Sequence, residues 1–249
     1  MQYGIPLIPI IPMRNTPAEA SEMVSQVLFG EIFQILETQK KWTYIKLDFD
    51  GYEGWIDAKT WGVVTKETNT NPIVITDNLY WQKTSVGLLP LSMGSELHQQ
   101  LKKVHPYAVQ PLPPMPTEHK KVEIARLAQK FLHTPYLWGG RSAFGIDCSG
   151  LTQVVMKAAG ISLPRDASQQ ALKGTTIDFV KDAMPGDLAF FDDTEGQITH
   201  VGILLNANEI IHASGMVQIN KFDHQGIFHP YTKQYTHKLR IIKRLKYRP

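Results

Sequence analysis

The chain has 249 residues, 43% of them hydrophobic, and a formal net charge of +3, which is enough apolar material for a core and too little charge to mark a nucleic-acid binder. Its single cysteine excludes an internal disulfide, a CxxC redox pair and a thiolate-held structural zinc. No run of about 18 apolar residues occurs, so no membrane span is expected.

The apolar start, Ile5 to Ile11, is broken by Pro6 and Pro9, followed by Pro12, and lacks a preceding basic region. It reads as a poor signal peptide, so the chain as it stands is expected to be cytoplasmic. A chain whose export signal had been removed, and which works in the periplasm or cell envelope, would look the same. From Val24 to Trp61 short β-runs alternate with turn residues: Val24-Leu28, Ile32-Glu37, Trp42-Asp48, then Gly51-Tyr52-Glu53-Gly54-Trp55-Ile56. This spacing predicts a small β-barrel over residues 1–62. A weaker echo, Leu91-Ser-Met-Gly94-Ser95-Glu96 against Gln26-Val-Leu-Phe-Gly30-Glu31, predicts a second barrel over 63–110.

Pro111, Pro113, Pro114 and Pro116 favour extended polyproline geometry and predict a linker over 111–117. Beyond it, Glu118 to His133 carries Ile124, Leu127, Ala128 and Phe131 at helical spacing. A second helix follows Cys148, with Leu151, Val154, Val155 and Ala158 on one face, Gly160 as the C-terminal stop and Pro164 beyond. Strand-like runs then cover Asp187-Phe191, Thr199-Asn206, Glu209-Ala213 and Lys238-Leu245. Helices followed by an antiparallel sheet predict an α+β domain over 118–249. In the basic tail, Leu239, Ile241, Ile242 and Leu245 alternate with cations, as in a last strand with one solvated face.

Cys148 sits in Gly145-Ile146-Asp147-Cys148-Ser149-Gly150. A cysteine in the first turn of a helix meets unpaired amide hydrogens that favour a thiolate, the form that attacks carbon. The plainer reading is a buried thiol acting as a small hydrophobe. Polar Asp147 and Ser149, with two glycines close by, favour catalysis over packing. A nucleophilic thiol needs a base and a group to orient that base. His200 opens an apolar strand, His212 closes the next, and a hairpin through Asn206-Ala207-Asn208 would set the imidazoles side by side. His200 is then the base and His212 its orienting partner. His98, His105, His119, His133, His224, His229 and His237 lie in loops or polar stretches and take no assignment. No HExxH motif occurs, no third metal ligand falls near the histidine pair, and Asp192-Asp193-Glu195 reads as a solvated turn. Neither a metal nor another cofactor is expected.

Taken in order, Tyr136-Leu-Trp138-Gly139-Gly140, Asp147-Cys148-Ser149-Gly150-Leu151, Leu163-Pro164-Arg165-Asp-Ala-Ser168-Gln169-Gln170, Pro185-Gly186-Asp187-Leu188, His200-Val201-Gly202-Ile203 and Ile211-His212-Ala213 resemble the NlpC-type cell-wall cysteine peptidases. The resemblance implies a papain-like α+β fold and a triad of Cys148, His200 and His212. It also implies amide hydrolysis through an acyl-enzyme, with the oxyanion met by the Cys148 amide and a second donor. Upstream, Gly30-Glu31 and Gly51-Tyr52-Glu53-Gly54-Trp55-Ile56 resemble bacterial SH3-like domains. Such domains ahead of this peptidase domain resemble the γ-D-glutamyl-L-diamino acid endopeptidases, which cut small murein peptides before diaminopimelate or lysine and prefer a free N-terminal L-Ala.

By the same resemblance, Asp147, Ser149, Glu31 and Tyr52 hold the L-Ala ammonium. Tyr52 reads equally as a strand aromatic and Glu31 as a solvated turn charge. Ser168 is either a substrate contact or the N-cap of a helix, and Arg165 meets a substrate carboxylate or pairs with a nearby acid. Trp138, Gly139 and Gly140 shape the cleft wall. Two rival readings keep the fold: an amidase or acyltransferase on another amide or lipid, and an inert wall-binding module. The SH3-like pair argues against the first and the intact triad against the second.

Overall fold

The computed structural model describes residues 1–65, 72–98, 101 and 123–246. They fall into two compact units, the first drawn from 1–119 with Trp138–Ala143, the second from 120–137 and 144–249. The proline-rich segment expected as a linker, and the start of the helix expected from Glu118, lie outside the described residues.

In the first unit, β1 (Gln2–Pro6), β2 (Ile10–Arg14), β3 (Met23–Leu28), β4 (Phe33–Gln39), β5 (Trp42–Leu47), β6 (Glu53–Asp57) and β7 (Trp61–Val64) form one sheet. Its order is β3-β2-β6-β5-β4-β1-β7. The pairings are antiparallel, and the sheet wraps Ile11, Met13, Val27, Phe33, Ile45, Leu47 and Ile56 into one apolar cluster. Each such side chain contributes about 1.5–3 kcal/mol on burial. The strands expected between Val24 and Ile56 are present within two residues at each end. The two opening strands were hidden by prolines, which read as breakers. Pro12 is accommodated because β2 pairs with β6 only at Arg14, so little is lost along that edge through a residue without an N–H.

The echo further along has a physical basis. Glu31 N donates to Leu28 O and Ser95 N to Ser92 O, at 3.1 Å in both cases, closing two equivalent turns. Each carries a glycine as its third residue at positive φ, 83° for Gly30 and 86° for Gly94. Gly30 is fixed by space as well, since a Cβ there would stand 1.8 Å from Glu96 O. Around the second turn lie two antiparallel pairs: β8 (Ile73–Val74) with β11 (Glu96–Leu97), and β9 (Leu79–Thr84) with β10 (Gly87–Ser92). Ile5, Phe29, Val64, Ile75, Leu91, Leu97 and Leu101 join them to the barrel in a shared core. The first unit also holds β12 (Arg141–Ser142).

The second unit comprises α1 (Ile124–Gln129), β13 (Gly145–Ile146), α2 (Cys148–Ala158), α3 (Ala167–Gln170), β14 (Thr175–Ile177), β15 (Leu188–Asp192), β16 (Ile198–Asn206), β17 (Glu209–Ser214), β18 (Met216–Asp223), β19 (Gly226–His229) and β20 (Gln234–Arg244). Seven strands run β14-β20-β15-β16-β17-β18-β19, and β19 also pairs with β20. α2 lies against β16 and β17, burying Leu151, Val154 and Val155. Ala189, Phe191, Leu204, Ile210, Phe222, Ile227 and Ile242 form a further apolar cluster on the same sheet.

The two ends of α2 follow the sequence closely. Asp147 caps its start, accepting from Gly150 N at 2.7 Å. Gly160, at φ 78°, ends it with its N–H on Lys157 O and that of Ile161 on Met156 O, the paired bonds of a Schellman motif.

Candidate active site

Cys148 is the first residue of α2 and only 7% exposed. The backbone amides of Val201 and Ser149 bond to its sulfur. Burial, reinforced by the Asp147 carboxylate, outweighs those amides and pushes the thiol up to about 11. The helix end was expected to favour the thiolate; burial acts against it and raises the thiol above its ordinary value.

Beside the sulfur, buried Arg165 grips buried Asp147: Nη1 donates to Oδ1 at 3.0 Å and Nη2 donates to Oδ2. Nη1 also donates to Ser149 Oγ at 2.8 Å. Gln170 ties α3 to the same corner, its Nε2 donating to Ser149 O at 3.0 Å and Pro164 O at 2.9 Å while its Oε1 accepts from Thr152 Oγ1 at 2.6 Å. Asp147 and Ser149 thus flank the nucleophile within a fixed, charge-neutral network, and Arg165 takes the acid-pairing role open to it. Tyr136 stands near this corner. Burial, with the adjoining Cys148 and Asp147, pushes its phenol up to about 12, so it is a hydrogen-bond donor throughout the working pH range.

The hairpin of β16 and β17 brings the histidines together. His200 Nε2 lies 2.9 Å from His212 Nδ1, with the rings perpendicular at 89°. Gly202, between them on the sheet, is needed for this approach: a Cβ there would meet Ile210 Cγ1 at 2.8 Å and His212 Cβ at 3.0 Å. On its far side His212 Nε2 lies 2.9 Å from Asn220 Oδ1. His237 stacks on His200, ring centroids 4.1 Å apart and planes inclined 29°. Burial drives His200 well below the ordinary imidazole value, and the neighbouring His212 and His237 add to the effect. Burial lowers His212 to about 4, partly opposed by its bond to Asn220. Both rings are therefore neutral near pH 7. With Nε2 turned to His212, Nδ1 is the His200 nitrogen left to take a proton.

Glu31 and Tyr52 belong to the first unit. Glu31 is buried rather than solvated. Its Oε2 accepts from Leu28 N at 2.8 Å and Arg141 Nη1 at 3.0 Å, and its Oε1 from Arg141 Nη2 at 2.9 Å. Arg141 is fully buried and also donates to Gln26 O from Nη1 and to Gln26 Oε1 from its backbone N. Tyr52 is half-buried against the barrel core. In the second unit Ser168 is exposed inside α3, whose N-cap position belongs to Asp166, so the capping alternative for Ser168 fails. Trp138 is exposed and donates from Nε1 to Glu22 Oε1 at 2.7 Å. Among the described residues no group of three or more His, Cys, Asp or Glu is placed to hold a metal ion.

Sequence reading did not reach Asn220, His237, Arg141 or a role for Tyr136. His237 was hidden by one residue, because the last strand was expected from Lys238 and begins at Gln234.

Residues 133–240 match the NlpC/P60 family, and residues 13–60 match the bacterial dipeptidyl-peptidase SH3 domain. A protein named dipeptidyl-peptidase 6, from Lysinibacillus sphaericus, is 30% identical over 268 residues, covering 91% of this chain and 94% of that one. The γ-D-glutamyl-L-lysine dipeptidyl-peptidase of Bacillus subtilis (strain 168) is 29% identical over 218 residues, covering 76% of this chain and 71% of its own. The crystal structure of an NlpC/P60 family protein from Bacillus cereus ATCC 10987 superposes with a TM-score of 0.75 at 18% identity, covering 97% of this chain and 99% of that one.

Proposed function

The chain belongs to the NlpC/P60 family, and from that premise we propose that it is a cysteine peptidase acting on small murein peptides. The bond cut joins γ-D-Glu to the L-diamino acid, diaminopimelate or lysine, in peptides with a free N-terminal L-Ala. L-Ala-γ-D-Glu is released, as in turnover or recycling of wall peptides. The observation that carries this reading is the single cysteine at the head of a buried helix, its sulfur bonded by the amide of Val201 next to His200, which pairs with His212 in a buried hydrogen bond. Likeness to a γ-D-glutamyl-L-lysine dipeptidyl-peptidase over 76% of this chain and 71% of that one supports this substrate class. The second unit is read as papain-like: a helix presents the nucleophile and an antiparallel sheet carries the base.

His200 Nδ1 accepts the Cys148 proton as sulfur attacks the scissile carbonyl carbon. The oxyanion takes hydrogen bonds from the Cys148 amide and the Tyr136 hydroxyl. Collapse breaks the C–N bond, and His200 returns its proton to the departing amine. Water then attacks the thioester, giving up a proton to His200, which passes it to the leaving sulfur. No cofactor enters this scheme. Tyr136→Phe, which removes only the hydroxyl, is expected to lower kcat about 100-fold with KM little changed. Steady-state rates near those of the parent enzyme would remove Tyr136 from the oxyanion site.

For the substrate's amino end we assign Asp147 and Ser149; Ser168, exposed on α3, is assigned to the remainder of the peptide. The deciding experiment offers L-Ala-γ-D-Glu-diaminopimelate with a free and an acetylated N-terminus and follows the products by mass spectrometry. The free peptide should yield L-Ala-γ-D-Glu and diaminopimelate, and acetylation should slow the reaction at least about 100-fold, as expected when a charged group loses its partners. Equal rates would sink the amino-end assignment. No cleavage of either peptide, with turnover of other amides, would favour an amidase.

A further inference from the structure

Asn220 lies on β18, two residues along from the position paired with His212: the register sets His212 opposite Gln218 and Ile210 opposite Asn220. Such diagonal neighbours are within reach of each other on one face. Val217 and Phe222 on the same strand are buried and apolar, and Asn220 is 5% exposed. A buried amide in such company is destabilising unless it is hydrogen-bonded. Its bond goes to His212 Nε2 at 2.9 Å.

The direction of that bond governs every proton in the line. A carbonyl oxygen only accepts, so Asn220 Oδ1 requires the proton of His212 on Nε2. His212 Nδ1 is then bare and accepts from His200 Nε2, 2.9 Å away. His200 Nδ1 is left bare in turn, which is the condition for taking a proton from sulfur. If the amide were reversed, its NH₂ would donate to His212, the proton of His212 would sit on Nδ1, and His200 would be driven to carry its own on Nδ1, with no lone pair to offer. One side chain, distant from the sulfur along the relay, thus decides whether the site contains a base.

We propose that Asn220 is a positioning residue that locks the tautomer of His212 and, through it, that of His200. The working relay is Cys148, His200, His212 and Asn220. It rests on the peptidase reading for its catalytic consequence but not for its chemistry, which exists in the free protein. Asparagine suits the place better than a carboxylate: it accepts the hydrogen bond without adding a charge to a buried pair. His237 and His229 are the other titratable groups that bear on these two rings.

The test combines tautomer and rate measurements on the full chain. Long-range ¹H–¹⁵N correlation spectra at neutral pH should show both His200 and His212 protonated on Nε2 and bare on Nδ1. Asn220→Leu, which removes the acceptor, should mix the tautomers and lower kcat about 10- to 100-fold with KM little changed, the size of effect typical when a ligand's outer partner is lost. Asn220→Asp, an acceptor of the same shape, should restore the tautomers and most of the rate. Its acid limb should move to higher pH, because an anion beside His212 favours the charged ring. A wild-type proton on Nδ1 of either ring overturns the proposal. So does an Asn220→Leu variant with parental tautomers and rate, or an Asn220→Asp variant no better than Leu. Should Asn220→Leu fail to fold, the wild-type spectrum and Asn220→Asp still decide. Because the spectra need no substrate, a wrong substrate assignment leaves the tautomer result standing.

Discussion

Cys148→Ala is expected to abolish peptide hydrolysis, a fall of at least about 10³-fold, because removing a nucleophile removes the covalent route as a unit. The fold should persist, since alanine keeps the small apolar volume at the head of α2. The sharper form of the prediction concerns the thiol itself. With Cys148 pushed up to about 11 by burial, iodoacetamide should alkylate it at neutral pH about 100-fold more slowly than a free cysteine, in proportion to the thiolate present. The rate should climb with pH through about 9 without levelling, as expected for a group raised above its free value. Alkylation kinetics by intact mass across this range will decide. A plateau reaching down to about pH 5, at a rate above that of free cysteine, would mean a resting thiolate beside an imidazolium and would overturn the neutral resting pair. In the neutral arrangement the proton leaves sulfur only as His200 receives it in the reaction.

Arg165→Leu should destabilise the second unit by about 3–5 kcal/mol, the usual consequence of leaving one charge of a buried pair behind. The stranded group is Asp147, 4% exposed and held by Arg165 at both oxygens. Ser149 loses its donor at the same time. The effect should fall on catalysis too, because Asp147 caps the helix whose first residue is the nucleophile. Adding Asp147→Asn should recover part of the stability, since a neutral amide still caps the helix and carries no charge to desolvate. Urea unfolding followed through the second unit's transition will measure both. A single-variant loss below about 1 kcal/mol would show that solvent reaches the carboxylate, making the pair worth no more than a surface one.

Local signals in the sequence carried much of this structure. The α2 helix was legible because its periodicity, its Asp147 start and its Gly160 stop all agree. The histidine pairing was legible because a tight hairpin forces residues of adjoining strands together, and His200 and His212 flank one. Where the information is not local, reading failed. Asn220 reaches His212 only through the register of a further strand, and nothing near Asn220 in the chain announces it. Arg141 meets Glu31 across 110 positions. The opening strands were lost because prolines were read as breakers, although an edge with sparse pairing tolerates them. The thiolate expectation meets an opposing force of a different kind. A helix terminus was weighed without the desolvation that only a packed sheet imposes.

That burial also bears on how the molecule meets oxidants. Peroxide attacks thiolate, not thiol, and a sulfenic acid is normally rescued by a second cysteine that closes a disulfide. This chain has one cysteine, so no such partner exists within it, and every oxidised molecule depends on an external thiol for repair. A thiol raised by burial offers oxidants a poorer target than a free cysteine does.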